Sequence, residues 1–290
     1  MNKKSILYKG AIVATLFACM FSCDGVDSLI GGDDSETVTG LKSALKVGID
    51  TAAHDLSQKD GYLADAAVKI GVPDEAATTF KAINYLSSNS LCKAALTAAG
   101  SNIDGTFEET LVTLFNRAAE DAAPKSVDVF VSAINKMSIS DGETILFGAN
   151  NAATTYLKTN TYTGLQAAFN PSITASLNTV KVANYTPISA WKEFATYNNK
   201  LASYISANHS LLKTAFQTLG QSDEYNTVAA VKTVNTNLPD YVTGKALDGL
   251  FVKVAGKELD IRTNANARIN DVLKKVFGRL DSSNSSSSSN

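Results

Sequence analysis

Leu247-Asp248-Gly249-Leu250-Phe251-Val252-Lys253-Val254-Ala255-Gly256-Lys257-Glu258-Leu259-Asp260-Ile261-Arg262 decides the fold. Leu247, Leu250, Phe251, Val254 and Ile261 return at the 3.6-residue period of an α-helix and share one face. The same period recurs at Leu111, Leu114, Phe115, Ala118 and Ala122, and again at Ile269, Val272, Leu273, Val276 and Phe277. Trp191, Phe194, Tyr197, Leu201 and Tyr204 make an aromatic stripe at that spacing, which suits packing between helices better than a ligand box. Alternating strand patterns are scarce; Thr159 to Thr163 could pass for a short strand but has no partner.

Boundary signals agree with a helical body. Pro73 with Asp74-Glu75 looks like a first turn, and Pro124, Pro171, Pro187 and Pro239 each suit a helix start. Gly100, Gly148, Gly220 and Gly278 suit helix ends. Thr106 with Glu109, and Ser140 with Glu143, have capping-box spacing. The prediction is an all-α fold, a single helical domain of roughly ten helices, with no internal repeat.

Outward from that body, the first 23 residues give an address. Lys3, Lys4 and Lys9 precede an apolar run from Gly10 to Phe21, about a dozen residues and too short to span a bilayer. Phe21-Ser22-Cys23 then looks like a bacterial lipoprotein signal, with Cys23 lipidated as the new N-terminus. Cys19 is the alternative, but cleavage there leaves Met20 and Phe21 exposed. Residues 1–22 are read as signal peptide and 23–38 as a flexible tether with a reach of roughly 20 Å. Residues 39–280 form the helical domain, and 281–290 a disordered serine-rich tail. The expected location is the cell envelope, lipid-anchored and facing the periplasm or cell exterior, since acyl chains bind a membrane at about 0.8 kcal/mol per buried CH₂.

Composition narrows the partners. Without Lys3, Lys4 and Lys9, 23 of the 26 basic residues remain against 28 acidic ones, a net charge of −5. No basic stripe stands out, so no nucleic-acid partner is expected. Cys92, left alone by this reading, sits in a helical run as a small buried hydrophobe.

Catalytic signatures are missing. The chain has no Gly-x-Ser-x-Gly, phosphate-binding glycine loop, His-Glu-x-x-His or Cys-x-x-Cys. Its two histidines, His54 and His209, stand far apart in polar surroundings, so no metal site and no cofactor are expected.

Two polar clusters draw interest. Glu258 falls at the centre of the apolar stripe, with Arg262 one turn on. A carboxylate aimed at a core is costly unless paired, so it is either a structural ion pair or a functional group; Asp248 and Arg268 are neighbours that can join it. The second cluster is Asn116, Arg117, Glu120 and Asp121. Arg117 and Asp121 are spaced to pair, while Asn116 and Glu120 share the face opposite the apolar stripe. That face is either a solvated helix back or the polar lining of a groove.

These blocks carry a resemblance. Gly61-Tyr62-Leu63-Ala64-Asp65, Asn116-Arg117-Ala118-Ala119-Glu120 with Ala123-Pro124, and Ile145-Leu146 to Gly148 followed by Ala152-Ala153-Thr154-Thr155-Tyr156 all match a family. The strongest block runs from Tyr241-Val242-Thr243 through Lys245 to Phe251 and Ile261-Arg262 to Lys275-Val276-Phe277-Gly278. The chain resembles the bacterial domain-of-unknown-function family numbered 4197, whose members are exported and helical. The resemblance implies fold and export and supplies no activity. Lys257 stands where that family tends to carry a second glutamate, and Ala265 replaces a proline. The stretch 199–237 is longer than its equivalent and is read as an insertion.

The leading functional expectation is a non-catalytic binding or scaffolding lipoprotein whose partner is an envelope protein, a lipid or a small molecule. The rival is an envelope hydrolase using Glu258 as general acid or base, with Arg262 or Arg117 holding an anionic group.

Overall fold

The structure is a computed structural model that describes residues 36–88, 92–100 and 103–286. The expected signal peptide, Cys19, Cys23 and the tether up to residue 35 lie outside the described residues. Among the described residues the fold is all-α: twelve α-helices, no strand, and one isolated bridge between Val182 and Tyr185. No helix of the described residues is long and apolar enough to cross a membrane.

Helix α1 (Glu36–Ser57) starts three residues ahead of the expected domain boundary and buries Leu41, Leu45, Ile49, Ala52 and Leu56 along one stripe. A loop leads to α2 (Asp74–Ser87) and α3 (Lys93–Ala99), then α4 (Phe107–Ala122) and, after a 3₁₀ turn holding Pro124, α5 (Ser126–Lys136). The short α6 (Gly142–Leu146) precedes the long α7 (Ala152–Thr179) and α8 (Pro187–Ala207). Helices α9 (His209–Thr218) and α10 (Ser222–Ala229) occupy the segment read as an insertion; α11 (Leu238–Thr263) and α12 (Asp271–Ser286) complete the body.

The core is organised around α1, α11 and α7: α11 lies between the other two, and α12, α5 and α6 close around α1. Two glycines set the approach distances. A Cβ at Gly40 would stand 2.6 Å from the Val276 side chain, and one at Gly249 would stand 2.7 Å from the Tyr62 ring. The aromatic stripe of α8 is core packing as predicted: Phe194 stacks on Phe80 at 4.9 Å, and Trp191 meets Phe115 at 6.0 Å.

Several boundary signals mislead. Pro171 lies inside α7, because Phe169 and Ile173 on either side of it are fully buried and their packing outweighs one lost hydrogen bond. Thr159 to Thr163 are helical too, with the Thr161 hydroxyl donating to Leu157 O. Gly278 is interior to α12, which continues to Ser286 through residues expected to be a disordered tail. Ile269 precedes α12 and is exposed. Neither capping box forms: Thr106 makes no side-chain cap, and Asp141 rather than Ser140 caps α6.

Candidate functional site

Glu258 sits on the second-last turn of α11 and is 1% exposed. It faces the start of α7, whose own N-cap residue, Asn151, offers no side-chain cap. Helix N-termini leave amides unpaired and carry partial positive charge, so a carboxylate is favoured there. Glu258 Oε1 accepts from Ala153 N at 3.0 Å and Arg262 Nε at 2.8 Å. Its Oε2 accepts from Thr154 N at 2.7 Å and the Thr154 hydroxyl at 2.6 Å. The four acceptor positions of an ionised carboxylate are thereby occupied.

Arg262 carries the network onward. Its Nη1 donates to Leu146 O at 2.6 Å and its Nη2 to Ile145 O at 3.0 Å, the last two carbonyls of α6. Its guanidinium lies 5.7 Å from the Phe277 ring centroid. Arg268 repeats the device at the end of α11, donating to Ile261 O at 2.9 Å and Arg262 O at 3.1 Å. A bidentate pair with Asp281 of α12, at 2.6 and 2.9 Å, holds the Arg268 guanidinium and pushes its pKa up. Buried charge here serves three helix ends: the start of α7 and the ends of α6 and α11.

Asp248 does not join this group. It pairs with Lys158 at 2.7 Å and accepts from Tyr162 at 3.4 Å, ten residues before Glu258 and about 15 Å away along α11.

Asn116 and Glu120 are buried, so of the two readings the solvated helix back is excluded for them; Arg117 is partly buried and Asp121 exposed. The loop between α1 and α2 covers Asn116 and Glu120. Asn116 Oδ1 accepts from Ile70 N at 2.9 Å, while its Nδ2 donates to Ile70 O at 2.8 Å and Val112 O at 2.7 Å. Glu120 accepts from Tyr62 N at 3.3 Å and Leu63 N at 3.4 Å. Arg117 pairs with Glu120 and Asp60, each at 2.6 Å, rather than with Asp121. Asp121 instead accepts from Ser176 at 2.6 Å and lies 3.6 Å from Lys125. The polar face of α4 is thus the docking face for a loop with unpaired backbone groups to satisfy.

The two clusters do not meet. Tyr62, held by the Asn116 cluster, gives its hydroxyl to Ala246 O, twelve residues and about 18 Å along α11 from Glu258. No hydrogen bond or ion pair joins them among the described residues.

Three further polar contacts had weak sequence signals. Glu143, expected in a capping box, accepts from Thr37 at 2.6 Å and pairs with Arg279 at 2.5 Å. Those partners, Arg279 foremost, hold its carboxyl down at about 2. Asn198 donates to Lys232 O, and Glu75 accepts from Thr236, so α2 and α8 pin the return from the 199–237 segment. Cys92 is free and fully buried, and burial pushes its thiol pKa up, as suits an inert packing residue. His54 and His209 are both exposed, and no three His, Cys, Asp or Glu side chains converge among the described residues.

This helical body, with its charged helix-end partners, belongs to a known class. Residues 31–278 match the family described as protein of unknown function (DUF4197), and the chain belongs to that family. No curated protein and no solved structure matches it.

Proposed function

We propose that the protein is exported, acylated at Cys23, and displayed on the bacterial cell envelope as a non-catalytic binding or scaffolding module. The basic start, the short apolar run and the cysteine after Ser22 support the anchor. Glu258 carries the non-catalytic reading. A general acid or base must exchange a proton with substrate through a reachable oxygen. Both Glu258 oxygens are instead committed to helix α7 and Arg262, under almost complete burial. Arg117 is likewise committed to Glu120 and Asp60, which leaves the hydrolase reading without its arginine clamp.

Mass spectrometry of the full chain, recovered from bacterial membranes, tests the anchor. The expected result is an acylated N-terminal Cys23, with Cys23→Ser released from the membrane fraction and Cys19→Ser unaffected. An unmodified Cys23 in mature protein would refute acylation there, and an acylated Cys19 would place the anchor at the alternative cysteine.

A further inference from the structure

We propose that the cleft between the end of α3 and the outer edge of α8 binds a small oxyanion, a phosphate or carboxylate group. Its donors are the Tyr197 hydroxyl and the Lys192 and Lys200 ammonium groups.

The cleft has a volume of about 560 Å³, enough for an oxyanion with a small body attached. Tyr197 contributes to its wall and is 2% exposed. Its hydroxyl is the buried side-chain polar atom without a hydrogen-bond partner among the described residues. Buried polar groups are nearly always paired, so an orphan hydroxyl on a residue that lines a cleft calls for a partner from outside the chain. Tyr62, equally buried, gives its hydroxyl to Ala246 O, so the fold supplies such a partner where only packing is at stake.

The surrounding charge selects the sign. Lys192, Thr196 and Lys200 follow one another at four-residue spacing along the same edge of α8. Neither lysine makes an ion pair among the described residues. Glu193 also lines the cleft, so its two lysines and one carboxylate leave a net charge of +1, which still favours an anion. Burial pushes the Tyr197 hydroxyl up to about 12, so at neutral pH it stays protonated and acts as a donor. The hydroxyl is covered by its surroundings. Contact with a ligand in the cleft therefore requires the groups over the hydroxyl to move aside, and the test below reads whether it takes part.

The inference rests on the reading of the folded part as a binding module and is independent of the anchor. The test uses the full chain, titrated with sodium phosphate and with sodium acetate at constant ionic strength. Parallel samples receive phosphatidylglycerol or phosphatidylcholine vesicles. Thermal midpoint and calorimetric affinity are read for wild type, Tyr197→Phe and the pair Lys192→Ala with Lys200→Ala. Wild type should gain stability with phosphate or acetate. Tyr197→Phe should melt higher without ligand, having lost an unpaired hydroxyl, yet bind about tenfold more weakly, since hydrogen bonds to charged groups are the strong ones. The lysine pair should weaken binding at least as much. Binding of phosphatidylglycerol vesicles alone, still dependent on Tyr197, would identify a lipid headgroup as the source of the anion. No gain with any of these probes, or equal gains in wild type and Tyr197→Phe, would overturn the proposal while leaving acylation of Cys23 untouched. Tyr197-dependent binding with an unmodified Cys23 would do the reverse.

Discussion

Glu258 of α11 caps helix α7 from outside it, taking both the amide and the hydroxyl of Thr154, at 2.7 and 2.6 Å. The contact spans 104 residues of sequence, so one side chain ties the start of α7 to the end of α11. Arg262, on the next turn, ties the same point to the end of α6. A pair this buried is costly to desolvate, and it persists because every donor and acceptor finds a partner.

Glu143 and Arg279 give a pH dependence with a definite sign. The carboxyl titrates at 4.5 in an unconstrained chain and is held at about 2 in the fold. A depressed carboxylate contributes stability that is fully present above the unfolded value and is lost as pH falls through the folded one. Between pH 4.5 and about 2 the thermal midpoint of wild type should therefore fall faster than that of Glu143→Gln. The two curves should converge at the acid end, and parallel curves would contradict the pairing.

Asn116→Ala should loosen the loop between α1 and α2. The substitution strands the buried N–H and C=O of Ile70, at a cost of about 3 kcal/mol. Hydrogen exchange at the Ile70 amide should accelerate more than exchange in the middle of α11. Uniform acceleration across the molecule would instead mean that the loop has no separate opening.

Two glycines of α11 should respond in opposite directions to alanine. A Cβ at Gly249 meets the Tyr62 ring at 2.7 Å, so Gly249→Ala should destabilise by about 1 to 3 kcal/mol in urea unfolding. A Cβ at Gly256 meets nothing within 4 Å, so Gly256→Ala should stabilise by about 0.5 to 1 kcal/mol through helix propensity. Equal effects would mean that the spacing of Tyr62 and α11 is not as described.

Asp281→Ala should lower stability by about 1 kcal/mol, a small effect because that carboxylate is half exposed although Arg268 is buried. The loss should shrink at high salt. A stability change of zero at low salt would show that the end of α12 plays no part in closing α11.

Much of the fold was legible in the sequence, because apolar residues at 3.6 spacing have one physical explanation. The stripes of α4, α8 and α11 appear as predicted, and of the readings open for Glu258 the contacts show the ion pair with Arg262. Local signals did worse. Pro171 looked like a helix start because sequence reports the lost hydrogen bond but not the packing of Phe169 and Ile173 around it. For Asn116 and Glu120 the sequence leaves a solvated face and a groove lining equally open, because periodicity registers a polar face without saying what lies on it. A loop of unpaired amides covers it, and loops leave no period. Asp281 fell into an apparently disordered tail, since its role depends on Arg268, thirteen residues earlier and across a turn. Nor does spacing reveal an unpartnered hydroxyl, which is why Tyr197 read only as one more aromatic of the α8 stripe.

Urea unfolding of Glu258→Gln, Arg262→Met and the double variant tests the central claim that this pair holds the fold rather than performs chemistry. Each single substitution leaves a buried partner stranded and should cost about 3 to 5 kcal/mol, with the double variant costing clearly less than the sum of the two. A Glu258→Gln variant with unchanged stability would contradict the account and return that carboxylate to the list of catalytic groups.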